Sequence, residues 1–207
     1  MAPEKKNLGR QALSLPNLFT YARILAIPAV LFTMQFDSPR NAFVAAMLFA
    51  VASATDAIDG YLARKFNLIS IIGKFLDPLA DKLIVMGTLV MLLYLGRVNA
   101  WIVFVILARD TIISGLRTIA MTEGLVIEAR EFGKQKTAFQ MVGIWALLVH
   151  YPHTALTEEA IDFHRLGTYF LYISIVFSIV SAGDYFRSFF KKLLDTPSHA
   201  RARPAAR

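Results

Sequence analysis

Cysteine is absent from all 207 residues. A disulfide framework and a thiolate metal site are therefore both excluded, and thiol usage gives no indication of a redox compartment. Charge is scarce as well: 18% of the residues are Asp, Glu, Lys or Arg, against 56% hydrophobic, whereas a typical soluble domain carries roughly 25% charged residues. That balance excludes an ordinary soluble domain and points to an integral membrane protein. Acids are the scarcer sign, 15 against 22 basic residues, for a net charge of +7. No RNA- or DNA-binding motif accompanies the positive charge, and the basic residues are scattered among connecting segments, so nucleic acid is not an expected partner. Membrane topology and attraction to anionic lipid headgroups account for the excess.

What the chain does have is long apolar runs. Windows of about 20 residues, enough to cross roughly 30 Å of hydrocarbon, fall at 18–36, 41–62, 75–95, 100–121, 137–151 and 166–186. The expected fold class is an all-α integral membrane protein with six transmembrane helices and a polar cavity open to the cytoplasmic side. The fifth window is short unless its helix begins nearer Gly133, and the second carries Ala50, Ala52, Ser53 and Ala54, small residues that allow close helix approach. The first window is longer than a signal-peptide core, is interrupted by Arg23 and has no convincing small-residue cleavage site after it, so it reads as a retained span. The predicted organisation is an interfacial segment at 1–17, a six-helix domain at 18–190 and a basic tail at 191–207. The stretch from Asp195 onward is expected to be disordered or lipid-associated.

Cytoplasmic loops carry the excess of Lys and Arg. One set of connecting segments holds Lys5, Lys6 and Arg10; Arg64, Lys65 and Lys74; Arg130, Lys134 and Lys136; and Arg187, Lys191, Lys192, Arg201, Arg203 and Arg207. The opposite set holds only Arg40, Arg97 and Arg165, with acids at Glu158, Glu159 and Asp162. Both termini are therefore predicted to be cytoplasmic. The second helix then ends, and the third begins, at the cytoplasmic face.

Those two helix ends carry four of the scarce acids, Asp56 and Asp59, Asp77 and Asp81. Residues three or four apart share a helix face, so each pair aims both carboxylates into one space. Bringing an ionised side chain toward the bilayer centre costs on the order of 3 kcal/mol each on insertion scales. Four together need a cation, a water-filled cavity, or both. An all-oxygen set suits Mg²⁺ or Mn²⁺, and four carboxylates fit two ions able to stabilise the attacking and leaving oxygens of a phosphoryl transfer. Arg64, Arg109, Arg117, Lys134 and Lys136 are candidates to hold further phosphates.

The run Asp56, Asp59, Gly60, Ala63, Arg64, Gly73, Asp77, Asp81 resembles the complete signature of the CDP-alcohol phosphotransferases, eight fixed positions at fixed spacing. Flanking pieces strengthen the likeness: Pro16-Asn17-Leu18 with Thr20 and Arg23, Arg109-Asp110 followed by Ser114-Gly115-Leu116-Arg117, and Gly133-Lys134-Gln135-Lys136-Thr137 with Gln140. They resemble the branch of the family that uses sn-glycerol 3-phosphate as acceptor. The resemblance implies six membrane helices, a homodimer in a bacterial cytoplasmic membrane, and transfer of a phosphatidyl group from CDP-diacylglycerol with release of CMP. It implies that Asp56, Asp59, Asp77 and Asp81 ligate the metals, with Asp81 also the base for the acceptor hydroxyl. It places Asn17, Thr20, Asp59, Gly60, Ala63, Arg64, Gly73 and Asp77 around CDP. Arg109, Arg117, Lys134 and Lys136 are expected at the acceptor phosphate.

Plainer roles compete for some of these residues. Asp77 stands before Pro78, which is also an N-cap arrangement. Arg109 and Asp110 could neutralise one another within the bundle, and Arg117 lies roughly 12 Å further along the helix axis. Lys134 and Lys136 could be topology determinants. His150, His153, His164 and His199 share no ligand spacing and are assigned no chemistry. Two other functions compete as well. Inositol phosphate would satisfy the same cations as acceptor. A divalent-cation transporter would use the acids as an ion path, but no acidic series continues to the other side and no inverted repeat is evident.

Overall fold

Six α-helices and no β-strand make up the described residues: α1 (Leu15–Met34), α2 (Pro39–Lys65), α3 (Ile71–Tyr94), α4 (Ala100–Thr122), α5 (Glu131–Val149) and α6 (Phe163–Asp195). The computed structural model describes residues 15–65, 71–125, 131–151 and 161–195. Residues 1–14 of the expected interfacial segment, the acidic loop at Glu158 and Glu159, and the tail beyond Asp195 lie outside the described residues, while residues 15–17 of that segment form the start of α1. Every predicted window falls on one of the six helices. The fifth gains its length from a start at Glu131, and α6 continues past the apolar window to Asp195, carrying Lys191 and Lys192 as helical residues.

Local chemistry sets the helix ends. Ser38 accepts from the Asn41 amide at 3.3 Å at the start of α2, with Pro39 at the first helical position, where a missing N–H costs nothing. Asn99 accepts from the Trp101 amide at 2.8 Å before α4, and Asp162 from the Arg165 amide at 3.0 Å before α6. α3 ends at Gly96, whose φ of 69° suits a residue without Cβ. There the Gly96 and Arg97 amides donate to the Leu93 and Leu92 carbonyls, satisfying groups that the helix end leaves open.

Pro28 and Pro78 lie inside α1 and α3. Pro78 thus does not mark a helix start: α3 begins at Ile71, so Asp77 is an interior residue and its N-cap role is excluded. A prolyl residue removes one intrahelical hydrogen bond, which helices packed against neighbours tolerate.

Among the described residues, Phe163–Leu194 is long and apolar enough to cross a membrane, and Thr20–Met34 is a shorter apolar helix. Charged residues within α2, α3 and α4 interrupt their apolar stretches. The exposed side chains of α6 are themselves apolar over several turns, at Tyr169, Tyr172, Val176, Ile179 and Val180, as expected of a helix facing hydrocarbon.

The chain divides into two units, residues 1–98 with 141–168 and residues 99–140 with 169–207. In the first, α1 packs on α2 and α3. Ala42, Ala45, Ala46, Phe49 and Ala52 form the buried stripe of α2, at the i, i+3, i+4 spacing of one face. Gly167 lets α6 approach α5: a Cβ there would lie 2.8 Å from both the Gly143 carbonyl oxygen and Leu147 Cγ. In the second unit, Ile102, Val103, Ile106, Ile113 and Ala120 are the buried residues of α4. Phe139 stacks on Phe170 and Phe177 at 5.9 and 5.3 Å.

Candidate active site

In the first unit, two polar side chains of α1 meet two carboxylates of α3. The Thr20 hydroxyl donates to Asp77 Oδ1 at 2.5 Å, and Arg23 Nη1 donates to Asp81 Oδ1 at 2.7 Å. The spacing explains the match: three residues on α1 and four on α3 are each about one turn. Residue numbers rise together across the two pairs, so α1 and α3 run in the same direction, and α1, joined to α2 by a short turn, packs against both.

Burial across these pairs is uneven. Thr20 and Arg23 are each 1% exposed, whereas the Asp81 side chain is 39% exposed and Asp77 is half-buried. Ala80 and Ile84 turn inward on the same helix. The donors thus lie beneath the carboxylates, which keep an open side. Gly73, one turn before Asp77, is buried.

α2 carries Asp56, Asp59, Gly60, Ala63 and Arg64 on its last three turns. The side chains of these residues and of Asn17 lie outside the described residues, although the backbone of each is helical. Among the described residues no three His, Asp or Glu side chains gather as a metal site. Asp77 and Asp81 supply oxygen donors with an open side, a set that fits a hard divalent cation.

The far end of the same unit is closed by a second ion pair. Arg97, 5% exposed, donates to Asp37 Oδ1 at 2.5 Å and to the Leu148 carbonyl at 3.3 Å. The Tyr151 hydroxyl donates to the same Asp37 oxygen at 3.0 Å, and the Arg97 guanidinium lies 5.7 Å from the Tyr151 ring centroid. Three connections meet there, after α1, α3 and α5. The hydrogen bond from Arg97, with that from Tyr151, holds the Asp37 carboxyl below the usual carboxylate range. His150, at φ 56°, stacks edge-on with His164 at 5.2 Å beside this cluster.

In the second unit Asp110 gathers two of the four cations expected at an acceptor phosphate. Lys136 Nζ donates to both Asp110 oxygens, at 2.5 and 2.7 Å, and Arg109 Nη1 donates to Oδ1 at 3.0 Å. Arg109 also donates to the Ser178 carbonyl at 3.2 Å and the Ser181 hydroxyl at 3.1 Å. Arg117 and Lys134 are exposed. The cluster of two cations and one carboxylate retains one positive charge.

Sequence spacing by itself does not pair Thr20 with Asp77, Arg23 with Asp81 or Lys136 with Asp110. The available signal was a guanidinium in the middle of an apolar run, which must find a partner.

The sequence profile of the CDP-alcohol phosphatidyltransferase family matches residues 13–180. The chain is 39% identical over 185 residues to the CDP-diacylglycerol–glycerol-3-phosphate 3-phosphatidyltransferase of Bacillus subtilis, covering 84% of this chain and 93% of the relative. It is 36% identical over 175 residues to the protein of the same name from Rickettsia bellii, covering 84% and 94%. A cardiolipin synthase (CMP-forming) of Oryza sativa is 34% identical over 196 residues, covering 88% of this chain and 59% of that protein. The extent of the profile match and the identity to relatives covered almost end to end establish that the chain belongs to the CDP-alcohol phosphatidyltransferase family.

Proposed function

We infer that the protein transfers a phosphatidyl group from CDP-diacylglycerol to sn-glycerol 3-phosphate, giving phosphatidylglycerophosphate and CMP. The observation that carries this reading is the match to the glycerol-3-phosphate 3-phosphatidyltransferases over most of both chains. The Asp77 and Asp81 carboxylates with an open side support it chemically.

The family is generally dependent on a divalent metal. Asp56, Asp59, Asp77 and Asp81 would hold one or two Mg²⁺ or Mn²⁺ ions. Bound there, the metal would neutralise charge developing on the phosphoryl oxygens and the leaving group. Asp81 takes the proton from the primary hydroxyl of the acceptor. The hydroxyl oxygen bonds to the phosphorus nearer the diacylglycerol. The bond from that phosphorus to the bridging oxygen breaks, and CMP departs with the oxygen and the electron pair. Asn17, Thr20, Asp59, Gly60, Ala63, Arg64, Gly73 and Asp77 surround the CDP portion, and Arg109, Arg117, Lys134 and Lys136 provide positive charge for the acceptor phosphate.

The proposed setting is a bacterial cytoplasmic membrane, crossed six times, with both termini and the cavity on the cytoplasmic side and the active form a homodimer. The excess of basic residues in one set of connecting segments supports that orientation.

The test is CMP release by detergent-purified protein given CDP-diacylglycerol and Mg²⁺ or Mn²⁺, with glycerol 3-phosphate, inositol phosphate and phosphatidylglycerol supplied in parallel. Release with glycerol 3-phosphate, abolished by EDTA and restored by added metal, is expected. Preference for either other acceptor would keep the chemistry and replace the acceptor. Metal flux into vesicles without CMP release would support transport instead.

A further inference from the structure

Arg23 is buried more deeply than any other charged side chain among the described residues, at 1% exposure. Its Nη1 donates to Asp81 Oδ1, 2.7 Å away, and the equally buried Thr20 lies one turn before it on α1. Asp81 has no need of this contact for its own solvation, since 39% of its side chain reaches the surface. Removing a guanidinium from water carries a free-energy cost that an apolar side chain of similar volume avoids, and the return from a partly hydrated partner is reduced. A purely structural demand at this position would be met better by Leu or Met. What the arrangement achieves is orientation: a planar donor fixes the carboxylate from beneath and leaves its direction set by the core of the unit. Thr20 treats Asp77 the same way one turn earlier, at 2.5 Å.

We propose that Arg23 is a positioning residue for phosphatidyl transfer, holding Asp81 in the orientation from which it receives the acceptor's proton. The inference rests on the assignment of Asp81 as base. Arg23 itself keeps its protons and exchanges no bond during the step. Its charge also offsets repulsion between Asp77 and Asp81 on one face of α3. Misplacement of a reacting group by about 1 Å costs on the order of 10²-fold in rate, so loss of the contact is expected chiefly in kcat.

The experiment compares Arg23→Met, Arg23→Lys, Asp81→Asn and the double variant Arg23→Met/Asp81→Asn. Steady-state CMP release gives kcat and KM. Mn²⁺ binding is followed by electron paramagnetic resonance, and thermal unfolding by circular dichroism in one detergent. Arg23→Met is expected to unfold at or above the wild-type temperature, to bind Mn²⁺ within about threefold of wild type, and to keep both KM values within about threefold while kcat falls roughly 10- to 100-fold. Arg23→Lys, which retains the charge but not the planar fork, should recover part of that loss. The double variant should be no slower than Asp81→Asn alone, because two residues acting through one another are not additive.

A kcat for Arg23→Met within about threefold of wild type, with Asp81→Asn inactive, would overturn the inference and leave the base assignment standing. Full activity of Asp81→Asn would instead overturn the assignment on which the inference rests. Failure of Arg23→Met to fold, or loss of Mn²⁺ binding in step with activity, would show a structural or ligand-organising role and overturn positioning. Additive losses in the double variant would do the same.

Discussion

Replacement of Asp110 by Asn removes the carboxylate that pairs with both Arg109 and Lys136. Lys136 donates to both Asp110 oxygens and its side chain is 7% exposed, while Asp110 is 28% exposed. Breaking a buried pair from one side costs about 3–5 kcal/mol, because the remaining charge keeps its desolvation and loses its compensation. Asn retains one acceptor oxygen and the site is not fully sealed, which favours the lower figure, about 3 kcal/mol. For a chain of this size each kcal/mol moves the midpoint roughly 2–4 °C, so Asp110→Asn should unfold about 6–12 °C below wild type when thermal melts are followed by circular dichroism in a single detergent. The double variant Asp110→Asn/Lys136→Met discards the stranded cation and should regain most of that loss, since an apolar replacement of a buried pair is often neutral or better. With Lys136 proposed at the acceptor phosphate, the KM for glycerol 3-phosphate should stay raised in the double variant while its stability recovers. A single variant within about 2 °C of wild type, or a double variant no more stable than the single, would refute the reasoning.

Asp81→Asn should reduce turnover by roughly 10²-fold or more, measured as CMP release, and should also lower the melting temperature, because it strands the buried Arg23 charge as Asp110→Asn strands Lys136. Gly167→Ala should cost about 1–3 kcal/mol, since the new Cβ would lie 2.9 Å from the Leu147 backbone nitrogen as well as against the Gly143 carbonyl. Gly183→Ala, with nothing within 4 Å of the added carbon, is the control and should be neutral or slightly stabilising; equal melting temperatures for the two would refute the close approach of α6 to α5. Asp37→Asn should lower the melting temperature at neutral pH. Because the folded carboxyl titrates below its unfolded value, its contribution is complete above the unfolded pKa of about 4 and vanishes as pH falls through the folded pKa. The gap between wild type and variant should accordingly close in acid, and a gap constant from pH 7 to pH 3 would contradict the Arg97 clasp.

The positions of all six helices were legible because length and apolarity are properties of a single segment. Their ends were less so. The apolar window at 137–151 could not show that α5 starts at Glu131, since the backbone continues its hydrogen bonding through Lys134 and Lys136 whether or not the side chains are apolar. Asp77-Pro78 carried a helix-start pattern, yet Pro78 is interior because packing along α3 outweighs one missing hydrogen bond. The aspartate spacing was readable for the same reason the helices were: it is local, and one turn of helix converts it into a shared face. Which cation meets which carboxylate is a matter of registry between helices that are far apart in sequence. Thr20 and Asp77 are 57 residues apart, and Arg23 and Asp81 are 58. No local pattern encodes that registry; the packing of α1 against α3 sets it.

Two of the ionic clusters also differ in a way that bears on their work. Around Asp110 the carboxylate and Lys136 are both largely withdrawn from water and the cations outnumber the acid. Such an arrangement presents residual positive charge and suits an anionic partner. Around Asp81 the order is reversed, with the cation withdrawn and the acid open, which leaves negative charge facing outward and suits a cation or a proton. A chain with only 15 acidic residues thus places one carboxylate to organise cations and another to be organised by one. If both arrangements were merely structural neutralisation, exchanging each pair for apolar residues would leave the melting temperature and the kinetic constants together near wild type. The contrast in burial leads to a different expectation: apolar replacement should leave stability intact at both places, raise the KM for glycerol 3-phosphate at the Asp110 cluster, and abolish turnover at the Asp81 pair.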